Sequence, residues 1–230
     1  MMRELKSPDL KKYQDTGNVT VISLIPSTAK KILDVGCGSG DNAKILLSKG
    51  KKVDCITISE EEMASARNFC SNIYLQNLED GLPDEIKNNK YDVVICSHVL
   101  EHIAYPSRLL NDIKQIIVSN ESSLIVALPN FLSYKNRARI LCGKFEYEKS
   151  GIMDYTHLRW YTYKSGGELL IKSGFEIVDT LVDGNIPLAR VLKFLPNSVK
   201  SIFKKLLFAV SPGLFGGQFI YTCKFKNDYF

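Results

Sequence analysis

No stretch of this chain reaches the ~18 consecutive apolar residues that a membrane-spanning helix needs. Its first ten residues are charged and lack the apolar centre of a secretory signal. The six cysteines, at 37, 55, 70, 96, 142 and 223, include no CxxC pair, which removes the commonest zinc and thiol-redox motifs. Four of them sit in apolar runs, so buried free thiols in a reducing compartment are expected, and the chain is placed in the cytoplasm. Repeats are missing as well. Histidine is scarce, with three in 230 residues, so any histidine chemistry has only three candidates.

What is present is the composition of a folded domain. With 45% hydrophobic and 24% charged residues, the chain can bury a full core and is too apolar for long disordered tails. Its length fits one α/β domain with insertions. The net charge of +5 comes from lysines scattered along the chain, the pattern of a solvated surface, so no nucleic-acid partner is expected.

Apolar runs alternate with helical patterns. Residues 31–35 (Lys-Ile-Leu-Asp-Val) predict a buried strand ending at Gly36, followed by a helix over 42–49 with Gly50 as its stop. A strand over 52–58 leads to Ser59, which with Glu62 forms an S-x-x-E capping box opening a helix to about Cys70. Strands at 73–76, 91–96 and 123–128 follow, with a Gly81-Leu82-Pro83 turn and a helix over 106–118 between them. Such alternation implies right-handed βαβ units, a parallel sheet covered on both faces and a Rossmann-like three-layer sandwich.

Two segments break the rhythm. Residues 129–163 hold Tyr134, Arg137, Arg139, Tyr155, Arg159, Trp160 and Tyr161 and read as an inserted cap; its aromatics either grip a ring or sugar or form the cap's own small core. After a helix ending at Gly174 and a strand over 175–182, residues 186–213 interleave Val191, Leu192, Phe194, Ile202 and Leu206 with Arg190, Lys193, Lys200, Lys204 and Lys205. This basic amphipathic insertion either packs as a helical pair on the domain or on a protein partner, or touches an anionic membrane. A last strand, over 219–225, closes the sheet.

The string Asp34-Val35-Gly36-Cys37-Gly38-Ser39-Gly40 sits where the first strand hands over to the first helix, the position where ligands bind in open α/β sheets. Its G-x-G-x-G spacing differs from the G-x-G-x-x-G of dinucleotide sites, which argues against a dehydrogenase. Together with Leu33, this string resembles the first motif of the class I S-adenosylmethionine-dependent methyltransferases, of the type 11/12 kind, and the resemblance runs from about Lys30 to Val182. Leu128-Pro129-Asn130-Phe131 followed by Asn136-Arg137 is similar to the methionine-biosynthesis W-type branch. Residues 153–162 are similar to methyltransferases of surface-polysaccharide assembly.

The resemblance implies a seven-stranded, mostly parallel sheet with its last strand antiparallel, and S-adenosylmethionine as cofactor. It also implies cofactor contacts from Asp34, Gly36, Gly38, Gly40, Thr57, Ile58, Asn77, Leu78 and Ser97. Thr57 stands where the family has a carboxylate for the two ribose hydroxyls; a hydroxyl lacks the paired acceptor geometry, so Glu60 or a main-chain group is the expected compensation. Asn77 stands at the adenine-facing acid and can still accept through its side-chain oxygen.

Methyl transfer from a sulfonium is an in-line displacement, driven largely by alignment of donor and acceptor. A hydroxyl acceptor gains from a base, and His102 or His157 is the candidate. The main reading has no metal. An alternative set is His98, Glu101 and His102, spaced i, i+3 and i+4 on one helix face with His157 as a fourth, since some methyltransferases with a similar E-x-x-E-H segment orient the acceptor with a divalent metal. The sequence therefore reads as a methyltransferase acting at oxygen on a small-molecule or glycan-type acceptor. The rival reading is a cofactor-binding partner or regulatory subunit of the same fold.

Overall fold

The structure, a computed structural model, describes residues 17–117, 121–184 and 196–225. Seven strands run in chain order: β1 (Lys31–Val35), β2 (Lys52–Thr57), β3 (Asn72–Leu75), β4 (Val93–Ser97), β5 (Ser123–Pro129), β6 (Phe175–Asp183) and β7 (Gln218–Phe225). They form one sheet in the order β3-β2-β1-β4-β5-β7-β6. The first five pair in parallel, and β7 runs antiparallel to both β5 and β6. The expected sheet, with its reversed last strand, is what forms.

Alternating side chains explain why the central strands are apolar throughout. On β4, Val93 and Ile95 face one core with Ile32, Val53, Cys55 and Ala127, while Val94 and Cys96 face the other with Leu33, Val35, Ile56 and Val126. Helices cover both faces: α1 (Val19–Ser23), α2 (Asp41–Ser48) and α3 (Glu60–Ala66) on the first, α4 (Asp84–Lys87) and α5 (Pro106–Ile116) on the second. With Pro106 at its first position, α5 buries Leu109, Leu110, Ile113 and Ile116 at helical spacing. Val118, the expected end of this helix, lies outside the described residues.

Two local expectations are corrected. The helix after Ser59 ends at Ala66, short of Cys70, and only half of its capping box forms. Ser59 Oγ accepts the Glu62 N–H at 3.4 Å, but the Glu62 carboxylate accepts the Thr57 hydroxyl at 2.7 Å instead of returning to the cap. The segment after β4 is a single 3-10 turn, Leu100–His102, and not a helix carrying His98, Glu101 and His102 on one face. His98 precedes it at φ +57, a left-handed backbone that a non-glycine residue seldom adopts.

Between β5 and β6 the 129–163 stretch holds α6 (Tyr134–Leu141), the bridges Asn130↔Tyr161 and Glu148↔Asp154, and a cluster of Phe131, Phe145, Tyr147 and Trp160 with ring centroids 5.5–6.4 Å apart. Phe145 and Tyr147 are about half exposed, so these rings form a surface cluster, while Tyr155 lines the cleft and Tyr161 is buried in the main core. α7 (Tyr163–Lys172) then opens on a Thr162–Ser165 capping box. Of the amphipathic insertion, residues 186–195 lie outside the described residues; the rest forms α8 (Asn197–Val210) and α9 (Pro212–Phe215). Asn130 Nδ2 ties α9 to the end of β5 by donating to the carbonyls of Gly213 and Gly216. Among the described residues no helix is long and apolar enough to cross a membrane.

Candidate active site

At the carboxyl edge of the sheet, where the strand order switches direction between β1 and β4, a cleft of about 910 Å³ opens. The segments that follow β1, β2 and β3 form one part of its lining, and the turn after β4, cap residues 150–152 and 154–157 and Gln218 of β7 form the other.

The three turn glycines do different jobs. A Cβ on Gly36 would meet Val99 Cγ2 at 2.6 Å and one on Gly40 would meet Ala66 Cβ at 2.7 Å, so these two keep the turn packed on the loop after β4 and on α3. A Cβ on Gly38 would project into the cleft, with only Glu62 Oε1 nearby at 3.9 Å. Of the three, Gly36 and Gly38 line the cleft and Gly40 does not. Ser39 Oγ is buried in the same turn without a hydrogen-bond partner among the described residues. An open cradle over Gly38 and an orphaned hydroxyl beside it fit a polar ligand resting on the turn. Asp34 lies below, buried within β1 and outside the lining. Burial, then the Asp34 charge, push the Cys96 thiol upward, which makes it inert.

At the tip of β2, Thr57 and Glu62 are both nearly fully buried and both line the cleft. Their 2.7 Å hydrogen bond brings a carboxylate to the place where Thr57 alone offers a hydroxyl. The expected compensation by Glu60 is corrected: Glu60 is exposed and absent from this lining. Ile58, Asn77, Leu78 and Ser97 all line the cleft as expected. Asn77 Oδ1 caps its turn by accepting from Glu79 N at 3.0 Å, which leaves one lone pair for a ligand. Ser97 Oγ accepts from Asn18 Nδ2 at 3.2 Å.

On the opposite wall, His102 and His157 meet edge to face with centroids 4.7 Å apart. Asp154 accepts the Thr156 hydroxyl at 2.8 Å and the Thr156 N–H at 3.0 Å. Because that hydroxyl donates to Asp154, its oxygen accepts from His102 Nδ1 at 3.0 Å, alongside the Thr156 carbonyl at 3.2 Å. These partners assign the proton to Nδ1 and leave Nε2 as the basic nitrogen of His102. His157 Nδ1 donates to the Ile152 carbonyl at 3.1 Å. Burial lowers the His157 pKa against the upward pull of the Glu101 charge, so its ring is neutral at neutral pH.

Glu101 is fully buried, and neither of its carboxylate oxygens receives a well-formed hydrogen bond from the described residues. The alternative metal set is redrawn by the fold. Ligand atoms of Glu101, His102 and His157 lie within 4.8 Å of one another, whereas His98 points Nε2 at Gln218 Oε1 (3.0 Å) and Nδ1 at Glu101 (3.3 Å).

Sequence reasoning missed Glu62, Asp154, Thr156, Asn18 and Gln218. Glu62 carried a signal, being the acid five residues past Thr57 that an S-x-x-E pattern had already assigned to capping. The others come from segments as far as 200 residues apart, joined by contacts such as Asn18 Nδ2 to Gln218 Oε1 at 3.0 Å, and no local pattern announces them.

A family model described as a methyltransferase domain matches residues 11–180. The ubiquinone biosynthesis O-methyltransferase of Proteus mirabilis is 31% identical over 99 residues, covering 38% of each chain, so the match spans well under half of that relative's length. Among solved structures, an S-adenosylmethionine-dependent methyltransferase from Archaeoglobus fulgidus aligns over 87% of both chains with TM-score 0.58 and 17% identity. The magnesium protoporphyrin IX methyltransferase of Synechocystis, solved with bound S-adenosylhomocysteine, aligns over 89% of this chain and 80% of its own with TM-score 0.59 and 16% identity. The matched span contains the glycine turn, the strands β1 to β5 and the cap, and the chain belongs to the methyltransferase-domain family, among the class I S-adenosylmethionine-dependent enzymes it resembles.

Proposed function

We propose that this chain transfers the methyl group of S-adenosylmethionine to a hydroxyl oxygen of a small-molecule or glycan-type acceptor, with His102 taking the acceptor proton. The observation that carries the reading is the Asp154–Thr156–His102 chain, which lines the same cleft as the glycine turn. Bound in the cleft, the cofactor supplies an electrophilic methyl on a sulfonium. Gly38 and Ser39 seat its amino-acid end, Glu62 held by Thr57 accepts from the ribose hydroxyls, and Asn77 with Leu78 meets the adenine.

On the acceptor side, Thr156 fixes the His102 ring so that Nε2 is the proton acceptor. The buried carboxylates of Asp154 and Glu101 stabilise the imidazolium that results, and neutral His157 adds no repulsion. Ile103 and Ile152 add apolar surface to the lining beside His102. The Proteus mirabilis relative is by name an O-methyltransferase, which supports oxygen as the atom methylated. The free cysteines fit the reducing cytoplasm in which we place the chain.

A second reading has a divalent cation on Glu101, His102 and His157 orienting the acceptor oxygen, favoured by the approach of their ligand atoms to within 4.8 Å of one another. Turnover that survives exhaustive EDTA selects the base; turnover lost to EDTA and restored by added cation selects the metal.

Thermal unfolding with S-adenosylhomocysteine tests the cofactor half. Ligand at ~100 times its dissociation constant adds ~2.7 kcal/mol, roughly 5–10 °C in midpoint for a domain of this size, with NADH giving no shift. Transfer of a ¹³C-methyl group to small molecules of a cell extract tests the other half: a methoxyl carbon signal is expected, while an N-methyl signal excludes oxygen. Binding without any labelled product favours the partner-subunit reading.

A further inference from the structure

α8 is turned the wrong way round for a helix of a soluble domain. Its half-buried face carries Lys200, Lys204, Leu207 and Phe208, and Lys204 is fixed there by an ion pair with Asp183 at 2.9 Å. Its outward face carries Val199, Ile202, Phe203, Leu206 and Val210, each between 36% and 78% exposed. Their spacing of i, i+3, i+4, i+7 and i+11 puts all five on one stripe about 100° wide.

The anchor beneath is firm. Asp183 also accepts from Thr20 Oγ1 at 2.9 Å and Gln218 Nε2 at 3.3 Å, which joins α8 to α1, β6 and β7 beside the cleft mouth at Gly184 and Gly217. Burial would raise the Asp183 pKa, but bonds from Lys204, Thr20 and the Gly184 N–H outweigh it and hold the carboxyl at about 2, so the ion pair persists at any physiological pH.

Charge decides what the stripe meets. Between Asp183 and Asp228 the sequence contains no acidic residue, while Arg190, Lys193, Lys200, Lys204, Lys205, Lys224 and Lys226 fall in that interval. A second copy docked on the stripe would set lysine against lysine with no acid to pair them. Two of these cations, Arg190 and Lys193, belong to the 185–195 stretch that precedes α8 in the sequence. An anionic lipid surface complements both the apolar stripe and the cations, and at 14 residues α8 is too short to span a bilayer but suits lying in its plane.

We propose that α8 is a membrane-contact helix, its stripe entering the headgroup region of an anionic bilayer while the exposed Lys205 on its flank meets lipid phosphates. This holds whether or not the methyl acceptor is itself a lipid, and so stands apart from the catalytic reading.

Co-sedimentation of the full chain tests it. Vesicles of phosphatidylcholine alone are compared with vesicles of phosphatidylcholine and phosphatidylglycerol in equal parts. The wild-type chain is expected to bind the second kind and to lose binding as salt is raised. Ile202→Glu/Leu206→Glu should fall to the level seen with phosphatidylcholine alone, and Lys205→Gln should bind ~5-fold more weakly. Both variants should keep the thermal midpoint and the S-adenosylhomocysteine shift of the wild type, because none of these side chains lines the cleft. Equal sedimentation of wild type and Ile202→Glu/Leu206→Glu overturns the proposal. So does a wild-type dimer that this variant splits, which assigns the stripe to a second copy. A steep fall in the variant's midpoint without wild-type vesicle binding also overturns it and assigns the stripe to the 185–195 stretch.

Discussion

The two walls of the cleft are built by different means. The wall under the glycine turn is made of strand ends, a backbone cradle and helix caps, each specified by residues within a few positions of one another. The facing wall is made of side chains from the turn after β4, from the cap and from β7, held by hydrogen bonds that bridge 54 residues between His102 and Thr156 and 120 between His98 and Gln218. Backbone seats one ligand in many family members alike, whereas long-range side-chain networks can be exchanged without disturbing the sheet. A shared cofactor and a variable acceptor require that division.

The largest effect should come from breaking the side-chain wall alone. His102→Ala is expected to lower the single-turnover rate by ~10² to 10⁴ while leaving the S-adenosylhomocysteine thermal shift intact. Thr156→Val, which removes the acceptor of the His102 Nδ1 proton, should cost less, about ten-fold, because the Thr156 carbonyl remains as a partner. If the two substitutions leave the rate unchanged, the proton acceptor is not His102.

The backbone wall predicts a contrast between neighbouring glycines. Gly36→Ala drives a Cβ to 2.6 Å from Val99 at φ +73, so the fold should lose roughly 2–4 kcal/mol in chemical denaturation. Gly38→Ala meets nothing closer than 3.9 Å and should cost about 1 kcal/mol of stability, yet it obstructs the cradle and should weaken cofactor binding. Equal stability losses at the two positions would contradict the separate roles given to them.

This contrast also marks what the sequence could tell. The parallel βαβ frame and the position of the cleft follow from alternating apolar runs and one glycine string, since each is encoded locally, whereas the reversed β7 was implied by the family resemblance alone and the strand order appears only in the structure. His98 to His102 were legible as residues but not as geometry. An i, i+3, i+4 spacing implies a helix face only if a helix forms, and here the left-handed His98 ends β4 in a turn and sends Glu101 inward. Asp154 and Thr156 were illegible because their role arises only when the cap folds back onto the loop after β4.

Between the extremes lies the β2 tip, where the two modes of construction meet. Glu62→Gln keeps an acceptor for the Thr57 hydroxyl but removes the charge, and should raise the dissociation constant for S-adenosylhomocysteine by ~10- to 100-fold, since hydrogen bonds to a charged group contribute about 1.5–3 kcal/mol. Thr57→Val leaves the carboxylate but frees its rotamer, with a smaller loss of a few-fold expected. Glu60→Gln serves as the control, its side chain being exposed outside the cleft. Isothermal titration separates the three, and a loss with Glu60→Gln that exceeds the loss with Glu62→Gln would return the carboxylate role to the residue first expected to hold it.

The smallest effect concerns the acceptor wall at rest. Burial depresses the His157 pKa below its ordinary 6.5, so the folded chain resists protonation there while the unfolded chain does not. Above pH ~6.5 both states are neutral at this position and His157 adds no pH dependence. As the pH falls below that value the unfolded state binds the proton first, and stability is lost. His157→Asn keeps a donor for the Ile152 carbonyl and cannot titrate, so its midpoint should decline less steeply than that of the wild type as the pH falls below ~6.5. Parallel declines would mean that His157 is protonated as readily in the folded wall as in solution, and the neutral neighbour assigned to the His102 imidazolium would then have to be replaced by a second positive charge.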